Sequence, residues 1–195
     1  MKQLLKTAIT AALEAGKAIL EIYHSGDFFV EVKGDNSPLT KADTASHNVI
    51  MSYLKNTGIP ILSEEGIDIS YEERKKWEKL WIVDPVDGTK EFIKRNGEFT
   101  VNIALVVNQK LLLGVIFVPV TGDLYFSNIE LGAFKVSVDL ENYDLENLIS
   151  DANKLPLKRE DKTFTIVASR SHMSKETEEY LQQMRDIYGE VKLIS

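Results

Sequence analysis

Between residues 3 and 23, apolar side chains recur at helical spacing: Leu5, Ala8, Ile9, Ala12, Leu13, Ile19, Leu20 and Tyr23, with lysines and glutamates between them. The period predicts one amphipathic helix. After Gly26, residues 27–33 are short and rich in Phe and Val, which predicts a strand, and Gly34-Asp35-Asn36-Ser37-Pro38 reads as a turn. A second helix is predicted to begin near Thr40. Residues 59–63 and 80–83 are brief apolar runs bounded by turn signals. Residues 100–107 and 110–118 are β-rich and separated only by Asn108-Gln109, which predicts a hairpin. Further short strands are predicted at 123–127 and 132–136. The fold class is therefore α+β, or layered α/β, with a mixed or antiparallel sheet flanked by helices.

From 137 to 162 the pattern gives way to polar, acidic sequence. It holds a near-repeat, Asp139-Leu140-Glu141-Asn142-Tyr143 and Asp144-Leu145-Glu146-Asn147-Leu148, too short for a repeat architecture. Order returns with a strand at 163–168 and a helix at about 174–188, whose Tyr180, Leu181, Met184, Ile187 and Tyr188 form one face. Residues 191–195 read as the start of another strand. A domain boundary is placed near residue 158, giving an N-terminal α+β domain over 1–158 and the beginning of a C-terminal α/β domain over 159–195. A strand, a helix and part of a strand cover too little apolar surface for a second domain, so the chain is expected to be C-terminally incomplete.

Composition narrows the chemistry. At 195 residues and 44% hydrophobic content the chain supports a real core, and it contains no cysteine. Disulfide frameworks and thiolate metal sites are excluded, leaving oxygen ligands or the three histidines for any metal. Lys2, Lys6, Glu14, Lys17 and Glu21 interrupt the N-terminal apolar positions, so neither a signal peptide nor an integral membrane segment is predicted and a cytoplasmic location is the default. Thirty acidic against 23 basic side chains give a net charge of −7, which argues against a nucleic acid polymer as partner. Bound divalent cations would reverse that sign locally.

The chemistry-bearing run is Asp84-Pro85-Val86-Asp87-Gly88-Thr89, at the end of an apolar, strand-like stretch. It sets two carboxylates around a proline, then a glycine and a hydroxyl. Proline biases Asp84 away from helical geometry, and Gly88 permits close backbone approach. Such oxygen ligands suit Mg²⁺ or Mn²⁺, which keep several waters and complete their shell with substrate phosphate. Asp-Pro and Asp-Gly are also ordinary turn dipeptides, and Glu64-Glu65 read alone is solvated charge. Thr40 to Asp43 fits a helix cap, although an Asp placed there can also orient a water through a hydroxyl such as Thr89. Lys90, Lys94 and Arg95 adjoin the loop as cations to meet phosphate. His172 in Ser169-Arg170-Ser171-His172 reads generically as loop polarity.

Taken together, Glu64-Glu65 and Trp81-Ile82-Val83-Asp84-Pro85-Val86-Asp87-Gly88-Thr89 resemble the signature of the inositol monophosphatase superfamily. Three further blocks resemble its 3′(2′),5′-bisphosphate nucleotidase branch: Asp35 through Asp43, Lys90 through Leu105, and Val167 through His172. The resemblance implies a sugar-phosphatase-like fold and Mg²⁺-dependent removal of the 3′-phosphate of adenosine 3′,5′-bisphosphate to give AMP. The alternatives are an inositol-phosphate or other sugar-phosphate phosphatase, and a non-catalytic metal- or nucleotide-binding fragment. It implies two or more Mg²⁺ per complete site, with Mn²⁺ as a substitute, and a small phosphorylated nucleotide as partner; self-association stays open. Glu64, Asp84, Asp87 and the Val86 carbonyl match metal-ligand positions. Gly88 and Thr89, beside Glu64, Val86 and Asp87, match the segment that receives the scissile phosphate. Asp43 and Thr89, with Glu64, match the groups that activate the attacking water, while Ser169 and His172 match positions near the nucleoside. Sulfur metabolism, as removal of a sulfate-assimilation by-product, follows from the resemblance alone.

The family carries a further metal-binding aspartate in a Trp-Asp-x-Ala-Ala-Gly motif, and no such motif occurs in these 195 residues. One cation could still sit on Glu64, Asp84 and the Val86 carbonyl, whereas a second would keep only Asp84 and Asp87. The 195-residue chain is therefore expected to release little or no phosphate by itself.

Overall fold

The computed structural model describes residues 2–26, 31–32, 38–158, 163–169 and 173–194. Its contacts group residues 1–156 and 157–195 into separate compact units.

In the first unit the elements run α1 (Lys2–Ser25), β1 (Glu31–Val32), β2 (Pro38–Leu39), α2 (Lys41–Leu54), β3 (Ile61–Ser63), α3 (Tyr71–Arg74), β4 (Lys79–Asp87), α4 (Thr89–Ile93), β5 (Thr100–Val107), β6 (Lys110–Val118), β7 (Asp123–Asn128), β8 (Gly132–Ser137), α5 (Leu145–Ser150) and β9 (Asn153–Lys154). Strands β3 to β9 form one sheet in sequence order, with β3 parallel to β4 and every later pair antiparallel. The mixed sheet flanked by helices is thus observed. The β5–β6 hairpin turns on Asn108 and Gln109, both at positive φ (48° and 61°), as a two-residue turn matched to strand twist requires.

Alternation along the strands sorts the layers. Trp81 and Val83 on β4, Val101, Ile103 and Leu105 on β5, and Leu113, Val115 and Phe117 on β6 are buried under α1 and α2. The predicted stripe of α1 supplies Leu5, Ile9, Leu13 and Ile19 to this layer. Tyr23, Phe92 and Phe99 meet tilted or edge-to-face with ring centroids 5.2–5.3 Å apart and tie the end of α1 to α4. The opposite face is apolar too, but open: Ile82, Leu111 and Ile116 are 42%, 55% and 46% exposed around a cavity of about 500 Å³.

Where α1 crosses β6 the helix carries Gly16, and a Cβ there would stand 2.3 Å from the ring of the fully buried Phe117. Gly16→Ala should lower the thermal midpoint by several degrees, because overpacking of about 1–3 kcal/mol exceeds the roughly 1 kcal/mol gained in helix propensity. A raised midpoint would show that the ring can move aside.

The second unit holds β10 (Phe164–Val167), α6 (Lys175–Tyr188) and β11 (Val191–Ile194), with β10 and β11 parallel and α6 as their crossover. Phe164 stacks on Tyr188 at 4.1 Å, and Leu181 is buried. Beyond the short elements α3, α4 and β9, which the sequence reading does not predict, two findings differ from it. The acidic stretch contains α5, capped by Asp144 accepting from the Asn147 N–H, and β4 continues past Val83 through Pro85 to Asp87. Among the described residues no helix is long and apolar enough to cross a membrane.

Candidate functional site

The site forms where β3 and β4 end and α2 begins. Across from β4, the partner of Asp84 is Asn102 and the partner of Asp87 is Thr100, so β4 advances three residues while β5 advances two. The extra residue is a β-bulge. In regular alternation residues three apart face opposite sides of a sheet; the bulge returns Asp87 to the outer face that Asp84 occupies. Pro85 sits inside it, where a missing N–H breaks no ladder bond. Asn102 Nδ2 donates to Asp87 Oδ2 (3.0 Å), and Thr100 Oγ1 donates to Asn102 Oδ1 (3.0 Å), which fixes the way the amide faces.

Glu64 follows β3 directly, and its N–H donates to the Val83 carbonyl at 3.0 Å, next to Asp84 in the chain. Burial raises the Asp84 carboxyl to about 7, with the charges of Glu64 and Asp87 adding to it. Asp84 Oδ1 is buried without a hydrogen-bond partner. An acceptor left so, beside two more carboxylates, fits a hard cation and little else the chain offers. Among the described residues no group of three or more His, Asp or Glu side chains is placed as it stands to hold a metal ion. Mg²⁺ is bound through one or two carboxylates, with water and phosphate oxygens in its remaining positions.

On the other side stands the start of α2. Thr40 caps the helix by accepting from the Ala42 N–H, and Asp43 Oδ2 accepts from the Thr40 N–H (2.8 Å) and hydroxyl (2.6 Å). The predicted cap is present, and Asp43 does more than cap. Its second oxygen, Oδ1, accepts from Thr89 Oγ1 at 3.0 Å, while the Val86 carbonyl lies 3.2 Å from the same hydroxyl. One proton cannot serve both acceptors fully. Were the Val86 carbonyl turned to a cation, the proton would stay with Asp43 and the Thr89 oxygen would keep its lone pairs for a water. Gly88, at φ 102°, precedes α4, and a Cβ there would come within 2.8 Å of the Glu98 carbonyl, so the position excludes every side chain.

The structure therefore brings Asp43, Glu64, Asp84, Val86, Asp87, Gly88 and Thr89 into one neighbourhood. Ser169 follows β10 in the second unit, and His172 lies outside the described residues. Of the proposed phosphate cations, Lys94 pairs with Glu91 and Arg95 lies over the Tyr23 ring. The sequence reading missed Ser46, which donates to the Pro85 carbonyl (2.8 Å), and His47, whose Nδ1 shares a 2.9 Å hydrogen bond with Ser63 Oγ. Burial, then Lys55, holds the His47 imidazole below its usual range. The signal that would have found both was helical spacing from Asp43.

Comparison with known proteins bears on this arrangement. The chain is 45% identical over 176 residues to the 3′(2′),5′-bisphosphate nucleotidase CysQ of Shigella flexneri, and 44% identical over 176 residues to that of Escherichia coli K12. Each match covers 89% of the chain, which spans 66% of the length of these curated relatives. The crystal structure of CysQ from Bacteroides thetaiotaomicron superposes with a TM-score of 0.85 at 47% identity, over 100% of this chain and 73% of that one. The family model for the inositol monophosphatase family matches residues 1–192, and the chain belongs to that family.

Proposed function

We propose that this chain carries the metal- and phosphate-binding part of an Mg²⁺-dependent phosphomonoester hydrolase that removes the 3′-phosphate of adenosine 3′,5′-bisphosphate to give AMP. The observation that carries the reading is Asp84, a half-buried carboxylate with one buried, orphaned oxygen, crowded by Glu64 and Asp87 beside the Thr89–Asp43 pair. Glu64, Asp84, Asp87 and the Val86 carbonyl would hold Mg²⁺. When bound, the metal supplies a more acidic water and stabilises the leaving oxygen.

The chain's own groups do the rest. Asp43 takes the Thr89 proton, so the Thr89 oxygen accepts from the attacking water and aims it at phosphorus. The backbone at Gly88 and Thr89, stripped of any side chain at position 88, admits the phosphate closely. Water oxygen bonds to phosphorus as the bond to the ribose 3′-oxygen breaks; the attacking water gives up one proton through Thr89 towards Asp43, and the ribose oxygen takes one up from solvent, leaving inorganic phosphate and a free 3′-hydroxyl. The nucleotide as substrate, rather than an inositol ester, is supported by the nucleotidase names of the relatives at 45% and 44% identity. Protein expressed from its complete reading frame should turn over adenosine 3′,5′-bisphosphate faster than inositol 1-phosphate at matched Mg²⁺. Faster turnover of the inositol ester would overturn the substrate assignment while leaving the phosphatase reading intact.

A further inference from the structure

Helix α2 meets the site at three points on one face. Asp43, Ser46 and His47 stand at i, i+3 and i+4, so their side chains leave the helix on the same side. Asp43 reaches Thr89, and the fully buried Ser46 reaches the Pro85 carbonyl between the two aspartates. Both contacts steady the β4 side. His47 reaches the other side, through Ser63, the last residue of β3.

That contact matters because β3 is weakly held. It is three residues long, lies at the edge of the sheet and, among the described residues, pairs only with β4. Glu64 comes next, anchored to β4 by its N–H. To that single pairing the His47 imidazole adds a side-chain hydrogen bond at the strand's last residue. The half-buried ring, its pKa lowered by burial and then by Lys55, shares a 2.9 Å hydrogen bond through Nδ1 with the Ser63 hydroxyl.

We infer that His47 is a positioning residue for Glu64: acting through Ser63, it fixes the end of β3 and with it the placement of the Glu64 carboxylate beside Asp84. The inference rests on the reading of Glu64 and Asp84 as cation ligands. Ligands that are not placed in advance must be ordered on binding, and outer contacts of this kind are worth about 10–100-fold in metal affinity. His47 touches the ligand-bearing strand rather than the ligand, which puts the effect at the lower end of that range.

The test is Mn²⁺ binding to the 195-residue chain at neutral pH, measured by calorimetry. His47→Ala and Ser63→Ala should each weaken binding about tenfold. His47→Asn, whose amide can occupy the place of Nδ1, should restore most of the affinity. The double substitution should bind no more weakly than the weaker single one, since both remove one interaction. A merely packing role for the ring would leave Ser63→Ala near the unaltered chain and make His47→Asn as poor as His47→Ala. Ser63→Ala removes only a hydroxyl, so it reads out even if His47→Ala fails to fold. Both single variants binding within about twofold of the unaltered chain would sink this inference alone. No Mn²⁺ binding by the unaltered chain would overturn the metal-site reading, and this inference with it.

Discussion

Asp84→Asn should make the metal-free chain more stable at pH 8 and at the same time abolish its stabilisation by Mg²⁺. The folded protein holds a proton on Asp84 up to about pH 7, whereas the unfolded chain releases it in the ordinary carboxylate range. The folded state therefore binds more protons between those values, and stability falls as pH rises from about 4 to 7. Above 7 the whole penalty is present, and a neutral amide escapes it. Taken at face value the shift corresponds to about 4 kcal/mol. The carboxyl is only about half buried, so solvent screening reduces this to about 1–2 kcal/mol. At pH 4 the two proteins should melt together. Adding Mg²⁺ should raise the midpoint of the unaltered chain and leave that of Asp84→Asn in place. Thermal scans at both pH values, with and without the ion, check all of this. A variant less stable than the unaltered chain at pH 8 without metal would mean that the three carboxylates do not strain the fold.

Thr89→Val is expected to cost turnover without costing much stability, and Asp43→Ala to cost both. Thr89 is partly exposed at the start of a short helix, and losing its hydroxyl leaves the Thr40–Asp43 cap intact. If that hydroxyl orients the attacking water, kcat in protein expressed from the complete reading frame falls by about 10²-fold or more. Asp43 is 1% exposed and bonds three donors, namely the Thr40 N–H, the Thr40 hydroxyl and the Thr89 hydroxyl. Its removal strands buried donors and undoes the cap, lowering stability by about 1–2 kcal/mol on top of the kinetic loss. Because the two residues act through one hydroxyl, the double variant should lose no more turnover than Asp43→Ala. Full kcat in Thr89→Val would remove the hydroxyl from the mechanism.

Much of the architecture was legible because it is written in local periods. The stripe of α1, the cap of α2 and the β5–β6 hairpin each depend on residues within a turn or two of one another. Helix α5 escaped notice because it is too short for a period to emerge, although Asp144 announces its cap. The extension of β4 was hidden for a different reason: Pro85 ordinarily ends a strand, and only the pairing partner on β5 reveals the bulge that accommodates it.

The site divides the same way. The carboxylates and Thr89 stand out from their spacing, while the Asp43–Thr89 bond joins residues 46 positions apart and exists only through packing. Asn102 sat in plain view beside Thr100 on the outward period of β5. Nothing local says that its amide meets Asp87.

The bulge in β4 has a bearing on how this segment tolerates change. Were the bulge flattened with all three residues kept, Asp87 would fall out of phase with Asp84, and its charge would emerge on the side filled by α1 and α2. Loss of one residue together with the bulge would instead leave the two carboxylates two apart on one face, as in an ordinary strand, and would undo the step that brings the Val86 carbonyl to Thr89. Residue count and bend set the face together, so a change in one is tolerated only where the other changes with it.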